Sequence, residues 1–282
     1  MPEETIHRPQ LADFSLEGVS ALSSIVYGQG GGIPLLMDCF YCESAPRPMP
    51  AIIWMHGGGF TEEALTRLSR PEKAFVDLAK RGYFIASIDY RLAQVEPFPA
   101  QIHDSKCAVR FLRANASRFG IDPDRIGVWG ESCGGQLAGL MSVKGGIEGF
   151  EGDGGWNDVS SDIQAACSWY GGFDIPAFTG MHKDPRFVTI YGGTFEEKRE
   201  LVTKASPIEY IHRPMCPILC MCSDTDSHVP DNQSSVYVQR VNAVGNGNVA
   251  VYSCVPNQGH GYFEGQQYYE EVYSFFDRYL KG

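Results

Sequence analysis

Residues 130–134 read Gly-Glu-Ser-Cys-Gly, a G-x-S-x-G sequence. An apolar run, Ile126-Gly127-Val128-Trp129, precedes it, and Gln136-Leu137-Ala138-Gly139-Leu140 follows. A strand turning sharply into a helix lifts the serine hydroxyl above a sheet, and small flanking residues let the two backbones approach. The helix amino terminus also favours negative charge developing beside it. Ser132 is therefore a candidate nucleophile, and the N–H of Cys133 a candidate oxyanion donor. A second donor set, His56-Gly57-Gly58-Gly59-Phe60, follows the strand-like run Ile52-Ile53-Trp54-Met55. Successive glycines leave backbone N–H groups bare, as a tetrahedral intermediate requires; losing one such donor costs about 3–4 kcal/mol of transition-state stabilisation. Gly58 and Gly59 are the expected donors. His56 is expected to order this loop through hydrogen bonds, not to transfer protons.

A nucleophilic serine needs a base, and the base needs a carboxylate to orient it. Behind an elbow of this kind, the acid and then the histidine follow the serine along the chain. Four of the seven histidines lie after Ser132: His182, His212, His228 and His260. His260 sits in Asn257-Gln258-Gly259-His260-Gly261, between the strand-like segment 249–254 and a closing helical segment. That order puts it at the same sheet edge as Ser132. His182 and His212 fall in a long insertion and read as surface or pocket-wall residues. His228 lies too close to the candidate carboxylates to swing over Ser132. The run Ser223-Asp224-Thr225-Asp226-Ser227-His228-Val229-Pro230 offers two acids. Asp226 has the preferred spacing from Pro230; Asp224, nearer the strand end, is the alternative and can instead cap the turn.

These residues must be held by something. Strand-like segments at 33–42, 51–56, 83–89, 126–130, 163–170, 217–222 and 249–254 alternate with helical ones at 71–81, 98–119, from 132 onward, and 268–280. Strands alternating with helices imply a mostly parallel central sheet with helices on both faces, an α/β class. No composition break divides the chain, so residues 1–282 read as one domain. The 176–216 insertion is the expected substrate wall or lid, since long insertions in compact domains tend to be functional.

Of the 282 residues, 43% are apolar and 20% charged, which argues against disorder, collagen or a coiled coil. Thirty-four acidic against 23 basic residues give a net charge of −11, which opposes nucleic acid and anionic membrane surfaces. The start, MPEETIHRPQLADF, lacks a basic segment followed by an apolar one, so no secretory signal is expected. The longest clean apolar run, 51–55, falls short of the about 18 residues that span a bilayer. Nine cysteines, an odd count, read as reduced thiols in a cytoplasmic protein. The pairs Cys39/Cys42 and Cys220/Cys222 lie in strand-like runs whose side chains alternate between faces, which opposes a zinc site. The acidic segment 145–162 reads as a solvated loop, and neither metal nor cofactor is expected.

The motifs HGGGF, Asp89-Tyr90-Arg91-Leu92 and FPAQIHDSKCAVRFLRANASRFGIDPDRIGVWGESCGG resemble those of the α/β-hydrolase esterases. DVSSDIQAACSWYGGFDI, ASPIEY, DSHVP and GHGYF follow in the same order, so the resemblance covers 33–280. It is greatest to the acetyl xylan and feruloyl esterase-like group, akin to the hormone-sensitive-lipase branch with its HGGG motif. The resemblance implies the α/β-hydrolase fold and cofactor-free hydrolysis of short acyl or hydroxycinnamoyl esters of carbohydrates or small alcohols. Phe60, Phe98, Trp169, Tyr170 and Phe187 are candidate pocket walls of such an enzyme, although aromatics at strand ends serve the core as often. Departures are Cys133, where alanine is usual, and Ser223-Asp224, where a Gly-x-x-Asp start is common. Residues 1–32 are too short for the long amino-terminal cap of the lipase branch, which leaves the pocket open to the insertion. Two other readings stand beside the esterase. An amidase, such as an aryl formamidase or small peptidase, uses the same triad. A non-catalytic ligand-binding protein of this fold typically loses a triad member.

Overall fold

The computed structural model describes residues 16, 18–63, 65–69 and 71–282. Its sheet contains β1 (Ser20–Gly30), β2 (Ile33–Tyr41), β3 (Met49–Met55), β4 (Phe84–Ile88), β5 (Ile121–Glu131), β6 (Ala165–Trp169), β7 (Ile218–Ser223) and β8 (Ala250–Val255). They lie in the order β1-β2-β4-β3-β5-β6-β7-β8. The pairs β1/β2 and β2/β4 are antiparallel, and all later pairs are parallel. This mostly parallel sheet with helices on both faces is the α/β-hydrolase fold.

The helices are α1 (Glu72–Lys80), α2 (Ala100–Ala114), α3 (Ala116–Phe119), α4 (Cys133–Met141), α5 (Thr179–His182), α6 (Phe187–Tyr191), α7 (Phe195–Lys204), α8 (Asn232–Val244) and α9 (Gln266–Phe276). Helices α2, α4 and α8 cover one sheet face, while α1 and α9 cover the other. A central strand buried on both faces needs apolar residues at every position, not alternate ones. In β3, Ala51, Ile53 and Met55 join one core and Ile52 and Trp54 the other. Register places Trp54 beside Trp129, and edge-on contacts at 5.0 Å and 4.8 Å chain Trp54, Trp129 and Trp169 together across β3, β5 and β6. Aromatic pairs of this kind contribute about 0.5–1.5 kcal/mol beyond their burial.

Three features differ from the sequence expectation. The helix expected over 98–119 is broken at Asn115, whose side-chain amide donates to the carbonyl of Phe111 at 2.9 Å and competes with helix continuation. Strand β1 and helix α8 lie where the sequence showed no periodic signal, because β1 is a sheet edge that buries just Tyr27 and Gly30 and α8 buries polar residues such as Gln233 and Ser234. The acidic segment is latched, not merely solvated: Glu151 pairs with the buried Lys106 at 2.7 Å and with the buried Arg110 at 3.2 Å. Among the described residues, no helix is long and apolar enough to cross a membrane.

Candidate active site

Ser132 lies between β5 and α4 with φ 51° and ψ −117°, a conformation that costs about 1–3 kcal/mol in a residue other than glycine. Its N–H donates to the carbonyl of Trp169 at 2.9 Å, and its carbonyl accepts the N–H of Gln136 at 3.0 Å. The flanking glycines are there for space. A Cβ on Gly130 would meet the Gly134 carbonyl oxygen at 2.2 Å, and one on Gly134 would meet that of Met55 at 2.3 Å. The elbow therefore has its hydroxyl raised at the carboxyl ends of the parallel strands.

The loops after β7 and β8 reach the same edge. His260 Nε2 lies 3.1 Å from Ser132 Oγ, and His260 Nδ1 lies 2.7 Å from Asp226 Oδ2. An ionised carboxylate only accepts, so Nδ1 carries the proton and the Nε2 lone pair faces the serine hydroxyl. Asp226 Oδ1 accepts the N–H groups of His228 at 2.8 Å and Val229 at 2.9 Å. Burial pushes the Asp226 carboxyl up, but the His260 hydrogen bond, the backbone donors and the His260 charge outweigh it and hold it below its ordinary value. Asp224, the alternative acid, instead accepts the N–H of Asn257 at 2.7 Å. Ser223 Oγ accepts the N–H groups of Gln258 and Gly259, both at 3.1 Å. The acid loop thus clamps the histidine loop, and the choice falls on Asp226.

Gly58, Gly59 and Cys133 line the cavity in front of Ser132. Their neighbours in the glycine loop are already engaged: the Gly57 N–H donates to Glu131 Oε1 at 3.1 Å, and the Phe60 N–H to Cys133 Sγ at 3.3 Å. His56 orders this loop. Its Nδ1 donates to the Gly57 carbonyl at 2.8 Å, and its ring stacks on Tyr90 at 4.3 Å. Tyr90 in turn donates its hydroxyl to the His56 carbonyl at 2.7 Å. Burial pushes the His56 imidazole down, keeping it neutral.

Glu131 was not singled out in the sequence, although it occupies the first variable position of G-x-S-x-G. Its buried carboxylate accepts the Gly57 N–H and, at 2.8 Å, the Tyr170 hydroxyl, tying the glycine loop to the end of β6. Burial pushes its pKa up, and the bonds from Tyr170, Gly57 and Tyr262 pull back without cancelling that. Glu131→Ala orphans at least two buried donors, each worth about 1–3 kcal/mol when left unsatisfied. The expected outcome is a loss of about 2–4 kcal/mol in urea unfolding, on the same principle, together with a lower kcat from a misdirected Gly58–Gly59 backbone. Unchanged stability and kcat would remove Glu131 from this positioning role.

The cavity measures about 500 Å³. Ile175, Phe178 and Met181 form an apolar wall, and Asp184 and Arg186 a polar one, paired with each other at 2.6 Å. This wall belongs to the start of the insertion and is fixed by polar side chains, of which Gln233 and Ser206 are buried. Gln233 Oε1 on α8 accepts the N–H groups of Phe173 and Asp174, Ser206 Oγ accepts that of Ile175, and His182 Nε2 donates to the Ile175 carbonyl.

The five aromatics expected as walls are a correction: Phe60, Phe98, Trp169, Tyr170 and Phe187 are all buried and none lines the cavity. Phe60 packs on Tyr90 and Phe98, and Phe98 on Phe150 and Tyr191. Phe187 packs on Tyr191, and Trp169 joins the tryptophan chain. Tyr170 comes nearest to the chemistry, with its ring 4.6 Å from that of His260, yet it sits behind the imidazole as support. At strand ends, the sheet core competes with the pocket for large rings, and here the core wins every one.

Comparisons with known proteins place the chain among esterases by similarity. A family model described as BD-FAE matches residues 37–241. Esterase LipQ of Mycobacterium tuberculosis is 28% identical over 249 residues, covering 85% of this chain and 57% of its own. Esterase LipC of the same organism is 30% identical over 233 residues, covering 80% and 57%. The chain thus spans a little over half the length of these curated relatives. A solved truncated form of a carbohydrate esterase from gut microbiota has a TM-score of 0.81 at 25% identity, covering 98% of this chain and 100% of that one. A thermophilic esterase of Thermogutta terrifontis, solved with propionate bound, has a TM-score of 0.74 at 20% identity and shares the fold. Since the matched family model takes in β3 through β7 and most of α8, with the elbow, the glycine loop and the acid loop inside it, the chain belongs to the BD-FAE family.

Proposed function

We propose that the protein is a serine carboxylesterase that hydrolyses short acyl or hydroxycinnamoyl esters of carbohydrates or small alcohols through an acyl-enzyme. The observation that carries this reading is the unbroken relay from Asp226 through His260 to Ser132, at 2.7 Å and 3.1 Å, opening onto a cavity. In the first half-reaction, His260 Nε2 takes the Ser132 proton as Oγ attacks the ester carbonyl. The N–H groups of Gly58, Gly59 and Cys133 receive the oxyanion, in a site that is partly closed to water. The imidazolium, stabilised by Asp226, then gives its proton to the leaving alkoxide. Water repeats the sequence on the acyl-enzyme, with His260 again as base, and frees the acid and Ser132. The esterase relatives and the carbohydrate-esterase neighbour support this chemistry. The apolar wall suits an acyl or aromatic group, and the Asp184–Arg186 pair supplies an acceptor and donors for alcohol hydroxyls.

The test is hydrolysis of p-nitrophenyl acetate, butyrate and laurate, methyl ferulate and an acetylated xylo-oligosaccharide, each beside a matched anilide. Because the apolar wall of Ile175, Phe178 and Met181 is short beside an extended twelve-carbon chain, acetate and butyrate should exceed laurate by at least about tenfold in kcat/KM. Turnover of anilides alone would replace the esterase by an amidase. Turnover of nothing would favour a ligand-binding protein.

A further inference from the structure

We propose that Asp226, His228 and His260 form a binding site for a borderline-soft divalent cation, Zn²⁺ above all, and that its occupation shuts the active site off. The shut-off rests on the esterase reading; the binding does not. The three side chains each offer one ligand atom, and these atoms lie within 4.8 Å of one another. The His228 and His260 rings stack at 5.0 Å with 29° between their planes, and both residues line the cavity in front of Ser132. The proposed reaction has no use for His228.

Zinc binds imidazole nitrogen at about 2.0–2.1 Å and carboxylate oxygen at about 2.0–2.2 Å, so the His260 Nδ1–Asp226 Oδ2 pair, now at 2.7 Å, must open by roughly half an ångström while His228 closes by up to about 1.5 Å. His228 is the group able to move. Its side chain is exposed, and its Nδ1 has only a long 3.4 Å contact to Ser227 Oγ. Its backbone is held in place meanwhile, because its N–H donates to Asp226 Oδ1. Two imidazoles and one carboxylate leave a fourth tetrahedral position open to the cavity, a set that suits zinc and that the oxygen-seeking Mg²⁺ and Ca²⁺ do not match. The chain's net charge of −11 favours a cation over an anion here.

Asp226 Oδ2 faces His260 Nδ1 while Nε2 points to Ser132, so a cation shared with Asp226 binds Nδ1. It displaces the hydrogen bond to Asp226 and sends the ring proton to Nε2, which then faces Ser132 as a donor. No proton is lost, and the base disappears.

The experiment has two arms on the 282-residue chain. ZnCl2, with MgCl2 as a control, is titrated calorimetrically into Ser132→Ala and into Ser132→Ala/His228→Ala. Ester hydrolysis by wild type and His228→Ala is followed against zinc, each relative to its own zinc-free rate and then with EDTA added. The expected result is one Zn²⁺ per chain, no Mg²⁺ binding, and at least a tenfold weakening of both binding and inhibition without His228, with full recovery in EDTA. Near-ultraviolet circular dichroism of each variant excludes misfolding as the cause. Equal zinc binding with and without His228 overturns the site. So does inhibition that vanishes in Cys42→Ser/Cys254→Ser, the more accessible thiols. Should every ester fail as a substrate, the calorimetric arm still decides the cation site on its own.

Discussion

Ser132→Ala should lower kcat for p-nitrophenyl acetate by on the order of 10⁵–10⁶, with the affinity for a slow substrate analogue changed by no more than a few-fold. Removing one oxygen atom removes the only atom that bonds to the carbonyl carbon in the first step. The surroundings need not change. The serine N–H and carbonyl bonds to Trp169 and Gln136 are backbone bonds that alanine also makes, and alanine tolerates φ 51° no worse than serine. Gly58, Gly59 and Cys133 still present their N–H groups, so a residual rate above the uncatalysed one should survive from the oxyanion site alone. Because Ser132 and His260 act as one unit, Ser132→Ala/His260→Ala should be little slower than either single variant. The measurements are single-turnover kinetics and covalent labelling by a p-nitrophenyl phosphonate. A variant within tenfold of wild type, or one still labelled at the same stoichiometry, would take the nucleophile role away from Ser132.

How much of this site the sequence revealed depended on how local each feature is. The elbow and the glycine loop are short contiguous segments whose chemistry is set by neighbours in the chain. Ser132, Cys133, Gly58 and Gly59 are therefore singled out directly, and all four line the cavity. His260 follows from chain order, and Asp226 from its spacing to Pro230, with Asp224 left as the alternative. The walls could not be read that way. Ile175, Phe178, Met181 and Arg186 face the cavity because Gln233 and Ser206 hold the backbone at the start of the insertion, contacts that join residues far apart in sequence. The same holds for Glu131, whose partners Gly57 and Tyr170 come from two other strands' ends. Aromatic content misled for a related reason: Trp169 and Phe98 are large enough to serve either a pocket or a core, and only packing decides. At the level of the fold, the buried parallel strands β3 to β7 announced themselves as apolar runs. The sheet edge β1 and the polar-cored α8 carried no periodic signal.

Asp226→Asn tests the acid, and the structure dictates how the amide must sit. Two backbone N–H groups, from His228 and Val229, converge on Oδ1, so the asparagine oxygen takes that place and its NH2 takes the place of Oδ2. That NH2 then donates to His260 Nδ1, where the carboxylate accepted. Nδ1 must become the unprotonated nitrogen, the ring proton moves to Nε2, and Ser132 loses its acceptor. A wrong tautomer of this kind costs about 10⁴ in kcat with the geometry intact, and KM should move little. Asp224→Asn is the matched control. Its oxygen can still accept the Asn257 N–H, so kcat should stay within a few-fold of wild type. The pH dependence carries a second, independent sign. Asp226 is held below its ordinary value, so the folded state binds its proton less readily than the unfolded state does. Its stabilising contribution is therefore present above the unfolded carboxylate range, near pH 4, and fades as pH falls through the lower folded value. Urea unfolding of wild type against Asp226→Asn should show a stability gap at pH 7 that narrows toward pH 3. A gap that widens in acid would mean the carboxylate is not the stabilised form. A large kcat loss in Asp224→Asn with Asp226→Asn near wild type would pass the orienting role to Asp224.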